Sequence, residues 1–536
     1  MRGANEAQRA QACYLLGEAY SKLNRPAEAA AAVADAGKIN GPESRMATLK
    51  LAELRLDDPD QSLSAAVLAL ESALNGVESA ATFPTHLMPL AQARKICLET
   101  IQRAKKTADY ALAIRASKAF GKIAENGQHH LLAAEIEELW ATQLTTELTR
   151  GEEVRQHRRE AAEHWSAAAK ATENSGEKGE RFRKAASAHL LGDDQTKALS
   201  VLSELVTRLP DYPEEKAGQA WSDMGGIYSQ MGDKEKAKLA YQNAAIRTGS
   251  AQAQGQVRYA ALLYETEREK GTPTAIGILE EAIQTTATKD ATAREEALYL
   301  LGEILVVQKE WSKAETHLRT ALETFPESTR EPRGRIQYGQ CFRYRANIEA
   351  RKIEADRVAL SEIKAEREQL GQPRHKIQEQ IRIEDRYDRT WKNYVELLKL
   401  AAEAFTLAET NLLKTPSPDS ELLRRASFNA ADCAMWLGQY GESVVRYEKL
   451  ASRYRNRAEE MEAWRFVYHS CQYASEAARD EKDADGIKRW RERGDEAYKQ
   501  LKEALPRIPD TEFDNSVDVR KRAYWDKWLL ENALKR

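Results

Sequence analysis

The stretch from Gly218 to Gly249 reads GQAWSDMGGIYSQMGDKEKAKLAYQNAAIRTG, and its small and large side chains recur with the period of an α-helix. A first helix is indicated by four residues at i, i+3, i+4 and i+7, which share one face: Trp221, Met224, Gly225 and Tyr228. Gly232 and Asp233 then provide a turn. A second helix is indicated by the same spacing in three later residues: Ala237, Tyr241 and Ala244. The stretch therefore predicts an antiparallel helix pair.

The same frame recurs along the chain. Its clearest second copy spans Glu295–Glu327, where Gly302 lies on the first helix, Ala314 lies on the second and Pro326 ends the pair. Further copies lie at residues 13–36, 179–210, 257–282 and 437–450. Four consecutive frames begin near residues 179, 218, 254 and 295, at a spacing of roughly 36–41 residues. The small residues are needed where two helices approach closely, because a larger side chain would push them apart.

This frame resembles the tetratricopeptide repeat, whose first helix carries a large residue, Leu-Gly and Tyr, and whose second helix carries Ala, an aromatic residue and Ala before a closing Pro. The resemblance implies an all-α protein, a right-handed α-solenoid of helical hairpins whose inner face binds partners. Two short stretches, Thr320–Pro326 and Tyr447–Tyr454, are similar to bacterial envelope members of this family. They favour a bacterial protein, located in the cytoplasm or in the periplasm.

Four regions are expected along the chain. Residues 1–176 are predicted to form helical hairpins of looser register, and residues 177–330 hold the best-matched repeats. Residues 331–415 are predicted to be a long antiparallel coiled-coil insertion. Residues 416–536 resume the repeats and end in an amphipathic helix with Tyr524, Trp525 and Trp528, which we expect to cap the array.

The insertion is predicted from two helical stretches much longer than a repeat helix. They are joined by Gly371, Gln372 and Pro373, and Pro resists the continuation of a helix. On the returning arm, a coiled-coil seam is indicated by residues with 4-3-4-3-7 spacing: Trp391, Val395, Leu398, Ala402, Phe405 and Leu412. Both arms become mostly charged toward the turn. We therefore expect the root to pack on neighbouring repeats and the tip to project.

Composition excludes several classes of protein. The 536-residue chain carries 81 Lys and Arg against 84 Asp and Glu, a formal net charge of −3. Nucleic-acid-binding proteins normally show a basic excess, so no nucleic-acid partner is expected. No apolar run approaches the roughly 20 residues of a membrane-spanning helix, and the polar start, Met1–Gln11, does not resemble a signal peptide. Because the chain starts within the repeat pattern, a fragment or a processed form is one interpretation.

The sequence contains no recognisable catalytic or cofactor-binding motif, so we expect no enzyme activity and no cofactor. Its five cysteines lie far apart without a CxxC pair, which predicts reduced thiols at helix contacts. His157 and His164 are seven residues apart, with Glu153 and Glu160 nearby, and could share one helix face. With no further ligand visible in the sequence, we expect a solvated face there and no metal site.

Binding residues follow from the family resemblance, which places the inner surface on the first helix of each repeat. Carried onto the best-matched frames, the positions beside the packing residues are Arg183, Ser187, Gln219, Ser222, Arg258, Leu262, Tyr299 and Glu303. Family members that bind the carboxylate tail of heat-shock chaperones use Lys and Asn at such positions. That clamp is broken here, so we expect a groove for an extended peptide of mixed polarity.

The sequence thus predicts a non-catalytic scaffold that binds protein partners of unknown identity. Two alternatives stay open. One is a structural protein whose solenoids assemble into a coat or cage as a homo-oligomer, with the open N-terminal helix pair and the aromatic C-terminal helix as subunit contacts. The other is the regulatory portion of a larger enzyme or envelope complex.

Overall fold

The structure is a computed structural model that describes residues 5–39, 41–57, 62–146, 150–208, 212–285, 290–371, 373–515 and 520–534. Within these ranges the chain forms 24 α-helices, two short 3-10 turns and no β-strand. The prediction of an all-α fold is therefore confirmed. The chain divides into two compact units, Met1–Leu262 and Leu263–Arg536. The four-region division expected from the sequence stays a prediction.

Unit 1 is a succession of helices in which neighbours along the chain pack against each other. Its helices are α1 (Glu6–Lys22), α2 (Pro26–Gly37), α3 (Pro42–Asp57), α4 (Leu63–Leu74), α5 (Leu90–Lys106), α6 (Tyr110–Phe120), α7 (Gln128–Leu144), α8 (Gly151–Lys170), α9 (Ser175–Leu191), α10 (Gln195–Arg208), α11 (Glu214–Gln230) and α12 (Lys234–Ala245). The next helix, α13 (Ser250–Glu267), contains the boundary between the units. This order of local pairs is the arrangement expected of stacked hairpins.

Unit 2 follows the same order of neighbouring pairs. Its helices are α14 (Thr272–Thr285), α15 (Ala291–Val307), α16 (Trp311–Thr324), α17 (Glu331–Gln369), α18 (Arg374–Lys414), α19 (Ser420–Trp436), α20 (Tyr440–Arg453), α21 (Ala458–Asp480), α22 (Ala484–Ala504), α23 (Asp510–Asn515) and α24 (Arg522–Leu534). Across the described ranges, none of the helices combines the length and the apolar character that crossing a membrane requires.

Within the described residues, seven helix pairs are each joined by the same type of turn. In each pair one residue has a left-handed backbone with φ between 56° and 78°: Asn24, Ala108, Asp193, Gly232, Lys309, Gly438 and Lys482. The next residue donates its N–H to a carbonyl five positions earlier, as Asp233 does to Tyr228 at 2.9 Å. This bond satisfies a carbonyl at the end of the first helix and reverses the chain.

Small residues lie where the two helices of a pair are in contact, as the repeat pattern predicts. A Cβ atom on Gly225 would lie 2.6 Å from Tyr241 Cε1, and one on Gly302 would lie 2.5 Å from Leu318 Cδ2. Ala237 and Ala314 are fully buried. These four positions set the helix-to-helix distance, because nothing larger fits without displacing the partner helix.

The five cysteines are free thiols, and four of them are buried: Cys97, Cys341, Cys433 and Cys471. Cys13 is partly buried. The four buried positions agree with the predicted packing role, while the reduced state of the thiols stays a prediction.

Two long helices, α17 and α18, pack against each other in unit 2, with 39 and 41 residues. Their lengths confirm the long hairpin, while its heptad packing stays a prediction. Gln372, in the predicted turn, lies outside the described residues. The predicted coiled-coil seam is wrong at Trp391, which is 47% exposed. The buried face of α18 contains Tyr394 and Leu397 instead.

The C-terminal helix α24 is anchored by its aromatic face. Trp525 is fully buried and Trp528 is 8% exposed. Trp528 packs edge-on against Tyr468 of α21, with 5.5 Å between ring centroids. Arg522 donates hydrogen bonds to the carbonyls of Ile508 and Leu505. The aromatic side chains are therefore used to cover the preceding helices of unit 2.

Candidate functional site

In unit 1, the predicted binding residues lie on three first helices. Ser187 on α9 and Arg258 on α13 are exposed, whereas Arg183 on α9 is half-buried. Gln219 and Ser222 on α11 are also half-buried. The sixth residue, Leu262, is buried and packs in a small apolar cluster with Tyr241. The polar members thus lie at the surface, and Leu262 is part of the interior.

In unit 2, Tyr299 and Glu303 lie on α15. Tyr299 is 5% exposed, and its ring contacts Gly334 of α17 so closely that a Cβ atom there would lie 2.3 Å from Tyr299 Cε1. Burial raises the pKa of the Tyr299 hydroxyl to about 12. Glu303 forms an ion pair with Arg333 at 2.6 Å. We therefore assign Tyr299 a packing role, and its substitution would perturb the fold before any binding.

Asp223, which the sequence pattern missed, joins two of the predicted residues. Its carboxylate lies 3.4 Å from Arg183 Nη2, across the contact between α9 and α11. The amide of Gln219, one turn earlier on α11, donates a hydrogen bond to the other carboxylate oxygen at 3.2 Å. Burial raises the pKa of Asp223, and the bonds from Gln219 and Arg183 oppose that rise.

A second ion pair joins the same two helices. Lys216 Nζ of α11 lies 2.7 Å from Glu180 Oε1 of α9, and both side chains are nearly half exposed. With the first pair it forms a band of alternating charge, which we call the α9–α11 surface and define by Glu180, Arg183, Ser187, Lys216, Gln219, Ser222 and Asp223. Its four charged groups pair with one another, an arrangement suited to recognising charge.

A cavity of about 470 Å³ adjoins the α9–α11 surface. Its lining residues come from α7, α8, α9 and α11: Leu131, Trp165, Gly176, Glu177, Glu180, Arg181, Lys184 and Lys216. Lys184 Nζ lies 4.3 Å from the centroid of the Trp165 ring, a cation–π contact. The Trp165 indole donates a hydrogen bond to Glu138 at 2.9 Å, which fixes the ring. Trp165 itself is 2% exposed, so the cavity beside the charged band is lined mainly by charged side chains.

The sequence contained a signal for Asp223, since Gln219 and Asp223 are four residues apart and share a helix face. No comparable signal pointed to the pairing of Glu180 with Lys216, because residues 36 positions apart meet only when two repeats stack.

These observations place the chain in the class of helical-repeat proteins. It is built of antiparallel helix pairs joined by a recurring turn with a left-handed residue. The particular repeat is then identified by family models. Models of the tetratricopeptide repeat match residues 10–40, 218–245 and 296–328. These segments coincide with α1–α2, α11–α12 and α15–α16. The chain therefore carries tetratricopeptide repeats, and both matching models describe that repeat.

The chain also matches solved structures, at low identity and with low TM-scores. A tetratricopeptide repeat protein from Parabacteroides merdae is 13% identical with a TM-score of 0.32, and the match covers 66% of this chain and 97% of that one. The C-terminal part of a TPR repeat-containing protein from Cytophaga hutchinsonii is 12% identical with a TM-score of 0.32, covering 53% and 98%. A signal transduction ATPase with numerous domains and a tetratricopeptide repeat sensor, from Pyrococcus horikoshii, is 10% identical with a TM-score of 0.33, covering 89% and 66%. No curated relative matches the chain in sequence.

Proposed function

We propose that the protein is a non-catalytic scaffold and that the α9–α11 surface binds an extended segment of a protein partner. Tetratricopeptide repeats generally mediate protein–protein interaction, and stacked hairpins offer continuous binding surfaces. The observation that carries the proposal is the band of two partly exposed ion pairs beside the Trp165 cavity. The exposed Arg258 on α13, within unit 1, belongs to the same proposal.

The chemistry of the surface specifies the kind of ligand. Opposite charges along α9 and α11 would pair with a peptide whose own charges alternate. Exposed ion pairs contribute about 0–1 kcal/mol to stability. Their charges can therefore be changed with little effect on the fold, which separates binding from folding.

The test is a charge swap. Glu180→Lys with Lys216→Glu restores an ion pair between α9 and α11 but reverses the pattern that a partner meets. The matched control is Glu163→Lys with Lys197→Glu, which reverses another exposed pair of unit 1, at 2.6 Å between α8 and α10. Partners captured by each purified protein from native extract are quantified by mass spectrometry, and thermal melting reports the fold.

We expect the Glu180/Lys216 swap to lose the partners that wild type captures, while the control swap retains them and both proteins melt like wild type. Equal capture by wild type and by the Glu180/Lys216 swap would contradict the proposal.

A further inference from the structure

The helix pair α7–α8 contains a group of metal-ligating side chains that the sequence did not bring together. Glu137 comes from α7, and His157 and Glu160 come from α8. One ligand atom of each residue lies within 4.8 Å of the others. His157 Nδ1 and Glu137 Oε2 are 2.6 Å apart. The expected solvated face at His157 is therefore wrong: antiparallel packing of α7 brings a buried carboxylate against it.

Two of the three side chains are held in place. Glu137 is 2% exposed and His157 is 9% exposed. The ring of Trp140 stacks on the His157 imidazole with 4.0 Å between centroids, which fixes the imidazole plane. Glu160 is half-buried and accepts a hydrogen bond from Gln156 at 2.7 Å. Glu137 and His157 are thus held in the interior, and Glu160 is the member of the group that contacts solvent.

The charges of this group are not balanced by the protein. Two carboxylates face one imidazole, and within the described ranges no Lys or Arg forms an ion pair with Glu137 or Glu160. A divalent cation would supply the missing positive charge at this position.

We propose that Glu137, His157 and Glu160 bind a divalent transition-metal ion of the zinc class. One imidazole and two carboxylates form a nitrogen–oxygen ligand set that Zn²⁺ accepts, with bonds of about 2.0–2.2 Å. Because tetrahedral bonds of this length place ligand atoms about 3.3–3.6 Å apart, Glu137 Oε2 and His157 Nδ1 separate from 2.6 Å by about 0.7–1 Å when the ion enters. Water completes the coordination from the side of Glu160.

The bound ion links α7 to α8, a hairpin in which the sequence shows no small-residue frame of the repeat family. The inference does not rest on the proposed partner binding, since these three residues are not part of the α9–α11 surface.

A second imidazole group on the same helix pair must be distinguished from this one. His130 and His164 lie with their Nδ1 atoms 3.1 Å apart, seven residues from Glu137 and His157, or about 10 Å along the helices. Two imidazoles alone also bind Zn²⁺, so the test includes a variant of each group.

The experiment titrates the full chain, stripped with EDTA, with Zn²⁺ in a calorimeter and records the thermal midpoint with and without the ion. The variants are Glu137→Gln, Glu160→Gln and His164→Ala. The control is His86→Ala, which removes an exposed imidazole that faces one carboxylate, Glu43, at 3.4 Å. Glu160→Gln leaves the Glu137–His157 bond in place and stays informative if Glu137→Gln fails to fold.

We expect one saturable site in wild type, a rise of the thermal midpoint with Zn²⁺, and affinity weakened by roughly 100-fold in Glu137→Gln and Glu160→Gln. His86→Ala and His164→Ala should bind like wild type. Absence of saturable binding, binding unchanged in Glu160→Gln, or loss confined to His164→Ala would each overturn the proposal.

Discussion

Gly302 on α15 illustrates how one residue sets the distance between two helices. Its missing side chain leaves room for Leu318 of α16, which is fully buried. The same relation joins Gly225 to Tyr241. Because interiors are close-packed, an added side chain at such a position must displace a helix.

Gly302→Val should lower the free energy of unfolding by about 1–3 kcal/mol, the usual cost of overpacking. Urea unfolding measures the change. Gly277 on α14 offers the matched control, because it is exposed and a Cβ atom there meets nothing within 4 Å. Gly277→Val should change stability by less than about 0.5 kcal/mol, and equal losses in the two variants would contradict this account of Gly302.

Histidine 129 makes stability depend on pH. Burial, and then the neighbouring His130 and His164, lower the pKa of His129 from 6.5 to about 4 in the folded chain. Between these two values the unfolded chain binds a proton that the folded chain does not, so stability is full above 6.5 and falls as the pH falls toward 4.

His129→Gln should therefore flatten the fall in unfolding free energy between pH 6.5 and pH 4, whatever its effect at neutral pH. Urea unfolding at a series of pH values gives both slopes. Identical slopes in wild type and variant would show that His129 does not carry this dependence.

The two arms of the long hairpin α17–α18 are joined by an ion pair. Arg386 donates hydrogen bonds to Asp356 at 2.9 and 2.5 Å, and Asp356 is 4% exposed. This pair lies on the part of the hairpin nearer to Gly371, whose φ of 72° ends the outgoing helix. Removing the arginine leaves a buried carboxylate without its partner, which is costly.

Arg386→Ala should make limited proteolysis between residues 371 and 374 at least severalfold faster, with mass spectrometry locating the cut. Arg357→Ala is the control, because Arg357 pairs with Glu354 on its own helix. If both variants are cut at the wild-type rate, the Asp356–Arg386 pair does not hold the two arms together.

The sequence predicted the helices better than it predicted the turns between them or the face that each helix buries. Gly232 was predicted as a turn residue, but Lys309 and Ala108 adopt the same left-handed backbone without a distinctive side chain. Trp391 fits a heptad by spacing alone, yet its exposure depends on how α18 is rotated against α17 and α19.

The candidate site was predictable in part for a related reason. Arg183, Gln219 and Ser222 were found because the repeat frame places them beside packing residues. Tyr299 satisfied the same rule but is covered by the backbone of Gly334 on the next pair. Glu180, Lys216 and Glu137 gain their partners through packing between helices, which spacing within one helix does not reveal.

At the scale of the whole molecule, two surfaces distinguish the proposed partner binding from self-assembly. The aromatic side of α24, which the self-assembly alternative would use as a subunit contact, is buried within unit 2. In unit 1, by contrast, the α9–α11 surface keeps its charges partly exposed beside a cavity that Glu180 and Lys216 help to line. We therefore place the proposed partner binding on this surface.

The most direct test places a photo-cross-linking amino acid at Ser187, exposed on α9, and separately at Gln242, exposed on α12. Cross-linked products from native extract are identified by mass spectrometry. We predict that a heterologous protein is cross-linked through Ser187 and is absent from the Gln242 sample. Equal products from both positions, or cross-links from Ser187 solely to a second copy of the chain, would contradict the claim that this surface binds a protein partner.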